Sequence, residues 1–202
     1  TACMVQDKMG AKHAGAMDIS AGCSGYIYAV ACASNMVKAG MYDNVLVIGA
    51  EILSRLVDWQ DRSTCILFGD GAGAAVIGQV DEGYGLLASE LGSDGSLGKI
   101  LNIPASGVAE PVTHRAIDSK RIYIHMEGSE VFKAAVRHMG QTTLSTLEKA
   151  GITKEDINMF IAHQANDRII QSLAKKLSIP SDRMYVNVDR YGNTSAASVG
   201  IA

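Results

Sequence analysis

Two neighbouring segments of this chain cannot be left in water. Ser24–Lys38 (SGYIYAVACASNMVK) is apolar on nearly every face of a helix. Asn44–Leu53 (NVLVIGAEIL) follows it as a continuous apolar run of β-type residues. The first predicts a buried helix rather than a surface one. The second predicts a strand buried on both faces. A helix and a strand that both need covering require a layered α/β arrangement.

The remaining segments alternate in the same way. Strands are expected at Ala16–Ser20, Gly71–Val80 (GAGAAVIGQV), Ile157–Ala162 (INMFIA) and Met184–Val188, with another beginning at Gly85–Glu90. Helices are expected over 131–150 and 166–177, where apolar residues recur at helical spacing. Gly151 stands where a left-handed C-cap would end the first of these, and Thr153 to Asp156 has capping-box spacing. Residues 92–120 read as irregular. Strands alternating with helices of this length predict mainly parallel pairing. Residues 1–8 read as a helix already under way, and 195–202 as a helix beginning. The chain is therefore expected to be the middle of a larger compact fold.

Composition excludes several functions. A formal net charge of −3 gives no general electrostatic grip on nucleic acid. No uninterrupted apolar stretch reaches the roughly 18 residues of a membrane span. Thr1 to Lys12 lacks the apolar centre of a signal peptide. The four cysteines, Cys3, Cys23, Cys32 and Cys65, form no CxxC pair and have no metal-ligand spacing with histidine. A reducing, cytoplasmic setting is expected, with no bound metal, and any special cysteine is then a candidate nucleophile.

Cys23 is that candidate. Asp18-Ile-Ser-Ala-Gly-Cys-Ser-Gly25 runs into the head of the buried helix, where unpaired N–H groups and the positive end of the dipole favour thiolate. A lowered pKa is expected from that placement, and the turn reads as a nucleophile elbow. An inert core cysteine is the alternative reading of the same segment. Two further turns follow expected strands: His163-Gln-Ala-Asn166, and Tyr191-Gly-Asn193-Thr-Ser-Ala-Ala-Ser198. In α/β folds such turns collect reactive groups. Each alone is as well explained by a structural histidine or a turn asparagine. Together, Cys23, His163 and Asn193 suggest one convergent pocket. FGDGAGAAV lacks the GK[ST] ending of a phosphate loop, so its glycines are expected to serve tight turning and close packing.

DISAGCSGYIYAV, FGDGAGAAV, FIAHQANDRII and DRYGNTSAAS together resemble the β-ketoacyl-acyl-carrier-protein synthase III family. The likeness runs over essentially all 202 residues. It implies an α/β, thiolase-like five-layer αβαβα sandwich of two duplicated halves. Residues 1–82 would be the end of the first half and 83–202 most of the second, with opening and closing parts of the fold lying outside the chain. It implies a Cys-His-Asn triad of Cys23, His163 and Asn193, in an enzyme that starts type II fatty-acid synthesis from acyl-CoA and malonyl-acyl-carrier protein. It implies coenzyme A or pantetheine contacts at Arg62, Asn166, Ser129 and Phe132. Ser129 departs from the asparagine usual there. Carrier-protein docking would fall to Arg168, Lys133, Lys175 and Lys176. A homodimer without a cofactor is implied, coenzyme A thioester being a substrate. A polyketide- or quinolone-type condensing enzyme, and a non-catalytic carrier-protein-binding relative, are the alternatives.

Overall fold

The computed structural model describes residues 1–202. In chain order its main elements are α1 (Ala2–Lys8), α2 (Gly25–Lys38), β1 (Asn44–Ile52), β2 (Asp70–Gly78), β3 (Leu101–Asn102), α3 (His114–Asp118), β4 (His125–Met126), α4 (Gly128–Ala150), α5 (Asp167–Leu177), α6 (Val188–Tyr191) and α7 (Ala197–Ile201).

β1 and β2 form an antiparallel pair registered from Asn44 opposite Gly78 to Ile52 opposite Asp70. Val45, Val47 and Gly49 of β1, with Gly71, Gly73, Ala75 and Ile77 of β2, share one face. α2 and α7 lie side by side on that face, where Tyr26, Ala33 and Val47 make the buried centre and Val199 packs against it. The opposite face carries Leu46, Ile48, Ile52 and Val76, all exposed. A second core lies under α5. Ile170, Leu173 and Leu177 are buried there with Ile179 and Met184, and Met139 of α4 packs on them.

The glycines of β2 explain how α7 comes so close. A side chain on Gly73 would put its first carbon 2.6 Å from the Gly200 carbonyl oxygen, and one on Gly49 would lie 2.6 Å from the Ala196 oxygen. These are closer than real side chains come to backbone, so only glycine lets the α7 segment rest on the strands. Close packing, as expected of FGDGAGAAV, is what the motif does.

Several strand expectations need correction. Within these 202 residues β1 is covered on one face, where α2 and α7 pack, rather than on two. β1 and β2 pair antiparallel, because the link between them holds one short 3-10 turn, Leu53–Arg55, and no crossover helix. Parallel pairing survives as two isolated bridges, Phe68 with Asn193 and Phe160 with Met184. Ile157–Ala162 and Met184–Val188 are neighbouring segments joined by that single bridge, not laddered strands, and Met159 and Ile161 are exposed. Ala16–Ser20 and Gly85–Glu90 form no strand. α2 is only partly buried, with Ile27 facing outward. The helix ends conform to expectation: Gly151 is left-handed at φ 68°, and the Thr153–Asp156 capping box is present.

Candidate active site

Cys23 sits in a short 3-10 turn, Gly22–Ser24, that leads directly into α2. Its sulfur is only partly exposed and makes no disulfide. Burial pushes the Cys23 thiol above its ordinary value, and the Glu51 carboxylate adds to the rise. The Ser195 hydroxyl beside it pulls the other way. The lowered pKa expected from the helix head is therefore overturned. Loss of water around a sulfur that becomes charged is the largest of these influences. Cys23 alkylation by iodoacetamide is expected to keep accelerating with pH beyond the point where N-acetylcysteine has levelled off. A plateau below that of the free thiol would contradict this placement.

His163 follows the extended segment that bridges Phe160 to Met184. Burial lowers its pKa from 6.5 to about 4, so the ring is neutral near pH 7. Its Nδ1 lies 2.6 Å from Ser198 Oγ, near the start of α7. Gln164, fully buried, clamps the turn in place. Its Nε2 donates to the carbonyls of Ala162 (3.0 Å) and Tyr185 (3.1 Å), and its Oε1 accepts from the Asn187 N–H at 2.8 Å.

Asn193 is positioned by backbone from the other part of the chain. Its N–H donates to the Leu67 carbonyl (2.8 Å), and its carbonyl accepts from the Gly69 N–H (2.9 Å). Its side-chain Oδ1 accepts from the Ser195 N–H at 2.9 Å. With the oxygen committed, the Nδ2 amide is the end left to act as a donor. Ser195 holds a left-handed φ of 49°, uncommon for a residue other than glycine. The loop 193–198 thus touches all three predicted residues: it contains Asn193, places Ser195 beside Cys23, and sends Ser198 to His163. A side chain on Gly25, at the head of α2, would come within 3.3 Å of Ala196 in the same place.

The outer residues are more scattered. Asn166 caps α5, its Oδ1 accepting from the Ile169 N–H at 2.9 Å, which leaves its amide nitrogen and one oxygen lone pair for a ligand. It borders a cleft of about 270 Å³ with Ile66, Leu67, Ala165 and Gly192. Arg62 is exposed, Ser129 is exposed in the first turn of α4, and Phe132 is half-buried one turn on. Lys133 pairs with Glu130 at 2.7 Å on the surface. Arg168, Lys175 and Lys176 are all exposed on α5, and the methylene stem of Lys176 also lies over Gly140 of α4. A larger cleft of about 470 Å³, lined by Lys99, Arg121 and His125 among others, includes none of the predicted site residues. No cluster of three His, Cys, Asp or Glu is gathered that could hold a metal ion, and no helix is long and apolar enough to cross a membrane.

Ser195, Ser198, Gln164 and Glu51 are the site neighbours that motif reading misses. Glu51 had one sequence signal, a lone acid inside the apolar run of β1. The serines had none beyond lying in the loop.

Comparison with known proteins gives a consistent result. Residues 17–95 match the family model for 3-oxoacyl-[acyl-carrier-protein] synthase III, and residues 147–202 match its C-terminal model. A β-ketoacyl-[acyl-carrier-protein] synthase III of Caldanaerobacter subterraneus is 56% identical over the whole chain. The chain spans about 61% of that relative's length. The crystal structure of 3-oxoacyl-[acyl-carrier-protein] synthase III from Aquifex aeolicus superposes with a TM-score of 0.88 at 48% identity, covering 99% of this chain and 60% of that one. The Thermus thermophilus β-ketoacyl-[acyl carrier protein] synthase III gives 0.89 at 47%, covering 99% and 61%.

Proposed function

The chain belongs to the 3-oxoacyl-[acyl-carrier-protein] synthase III family, and from that premise we propose that it carries the catalytic residues of an initiating condensing enzyme of fatty-acid synthesis. Its fold is thiolase-like. The division at residues 82 and 83 into two related halves, the cytoplasmic setting and a homodimer belong to the same reading. The observation that carries it is the loop 193–198, which reaches Cys23, His163 and Asn193 at once.

In the first half-reaction the Cys23 sulfur attacks the carbonyl of an acyl-CoA. The C–S bond to coenzyme A breaks, a new thioester forms on Cys23, and the thiol proton leaves on the coenzyme A sulfur. One thioester replaces another, so little driving force is needed. A thiol whose pKa is raised by burial fits a proton that departs as the sulfur attacks. Arg62, Asn166, Ser129 and Phe132 are the proposed contacts for the coenzyme A or pantetheine arm.

In the second half-reaction malonyl-acyl-carrier protein loses CO₂, and the electron pair of the broken C–C bond moves onto the thioester as an enolate. Asn193 Nδ2 and His163 Nε2 are the proposed donors to the enolate oxygen. Both are neutral donors at pH 7, one because a carboxamide does not titrate and the other because burial keeps the ring uncharged. The enolate carbon attacks the Cys23 thioester, the C–S bond breaks, β-ketoacyl-acyl-carrier protein leaves, and the departing Cys23 thiolate takes a proton from water to restore the thiol. Arg168 would meet the carrier protein, with smaller parts for Lys175, Lys176 and Lys133, the last already paired with Glu130.

The test is intact-protein mass spectrometry of the full-length protein after incubation with acetyl-CoA. One acetyl group on the peptide containing Cys23, discharged into β-ketoacyl product when malonyl-acyl-carrier protein is added, is the expected result. No adduct would favour a carrier-protein-binding relative, and steady release of free acetate without malonyl substrate would favour a hydrolase.

A further inference from the structure

We propose that Ser198 is a positioning residue that fixes His163 as the tautomer carrying its proton on Nε2. The inference rests on the condensing role given to His163 above, and it deepens that role. Ser198 is buried, at 2% exposure, so its hydroxyl cannot spend its hydrogen on bulk water. Two groups lie within hydrogen-bond reach of its oxygen: the Gln164 N–H at 3.3 Å and His163 Nδ1 at 2.6 Å.

The Gln164 amide can only donate, so it takes one lone pair of Ser198 Oγ. If Nδ1 also carried a proton, the oxygen would accept twice and its own hydrogen would be left without an acceptor. A buried unmade donor costs about 1–3 kcal/mol. If Nδ1 is bare, the Ser198 hydroxyl donates to it and every group is satisfied. The hydrogen of the neutral imidazole must then sit on Nε2, the nitrogen on the far side of the ring. The direction of this short chain is set by backbone: the Gln164 N–H cannot reverse, and the buried Gln164 side chain holds that peptide through Ala162, Tyr185 and Asn187. Ser198 is therefore to His163 what the Ser195 N–H is to Asn193. Each occupies the acceptor and leaves the donor free.

The test uses the full-length protein with ¹⁵N-labelled histidine. Imidazole ¹⁵N NMR near neutral pH is expected to show the His163 proton on Nε2 and a bare Nδ1. In Ser198→Ala the proton is expected to divide between the two nitrogens. Condensation kcat should fall roughly tenfold, the size of one lost hydrogen bond, while the rate of Cys23 acetylation by acetyl-CoA stays within about twofold. Ser198→Thr, which keeps the hydroxyl, should recover the wild-type tautomer. A wild-type proton on Nδ1 would overturn the proposal, as would a Ser198→Ala protein whose tautomer and condensation rate are unchanged. An equal loss of acetylation and condensation would also overturn it, since that is the mark of a structural role. A wild-type protein with the Nε2 proton that makes no β-ketoacyl product would sink the condensing function and leave the tautomer assignment standing.

Discussion

With alanine at position 23, the full-length protein is expected to lose transfer from acyl-CoA outright and to make β-ketoacyl product at least ~10⁴-fold more slowly, as removal of a covalent nucleophile does elsewhere. The measurement is product formation from acetyl-CoA and malonyl-acyl-carrier protein, read beside the mass of the protein after acetyl-CoA alone. Stability should change by about 1 kcal/mol or less, because a half-buried sulfur at a turn is a small fraction of the packing. His163 and Asn193 are untouched in this variant. Release of CO₂ from malonyl-acyl-carrier protein should therefore persist, uncoupled from carbon–carbon bond formation. A Cys23→Ala protein that still accepts an acetyl group would remove the sulfur from the centre of the chemistry.

Asn193→Asp is expected to show the opposite division. Acetylation of Cys23 should survive, whereas condensation should drop by on the order of 10²–10³-fold, the cost of losing a preorganised donor to a developing oxyanion. The structure makes this substitution especially informative. One oxygen of Asn193 already accepts from the Ser195 N–H, and one carboxylate oxygen of aspartate can do the same. The other oxygen then replaces the amide and faces the enolate with like charge. The backbone hydrogen bonds to Leu67 and Gly69 do not depend on the side chain, so the loop should keep its place. Single-turnover acetylation and steady-state condensation, measured side by side, separate the steps. Equal damage to both would contradict the assignment of Asn193 to the second half-reaction.

How much of this was legible beforehand depends on the distance over which each feature is decided. Helix boundaries are local matters of periodicity, caps and a left-handed glycine, and α4, α5 and Gly151 follow the residues closely. Pairing is not local. Nothing in NVLVIGAEIL says whether its partner runs with it or against it, and one apolar run suits a strand covered on one side or on two. INMFIA is apolar enough for a strand, yet one bridge to Met184 is all the ladder it finds. In the candidate site, Cys23, His163 and Asn193 were singled out by their turns taken together and by the family resemblance, not by any one position alone. Their supports were not singled out. Ser195 and Ser198 look like ordinary small residues in a serine- and alanine-rich stretch. Their importance comes from one unusual φ and from the approach of α7 to the Gln164 turn. The Cys23 pKa failed for a related reason. A helix head is visible in sequence, whereas the dry surroundings and the Glu51 carboxylate come from elements that are far apart along the chain.

The row of missing side chains along β2 has a bearing on how such chains can be sorted by motif. A descendant could keep its sulfur, imidazole and carboxamide intact and still lose them as a working set by gaining a single methyl group at Gly73, because the added carbon would push α7, which carries Ser198, off the strand. The arrangement of these side chains thus rests on empty space along β2 as well as on the side chains themselves. A survey that scores only the three reactive residues would count broken copies as sound ones.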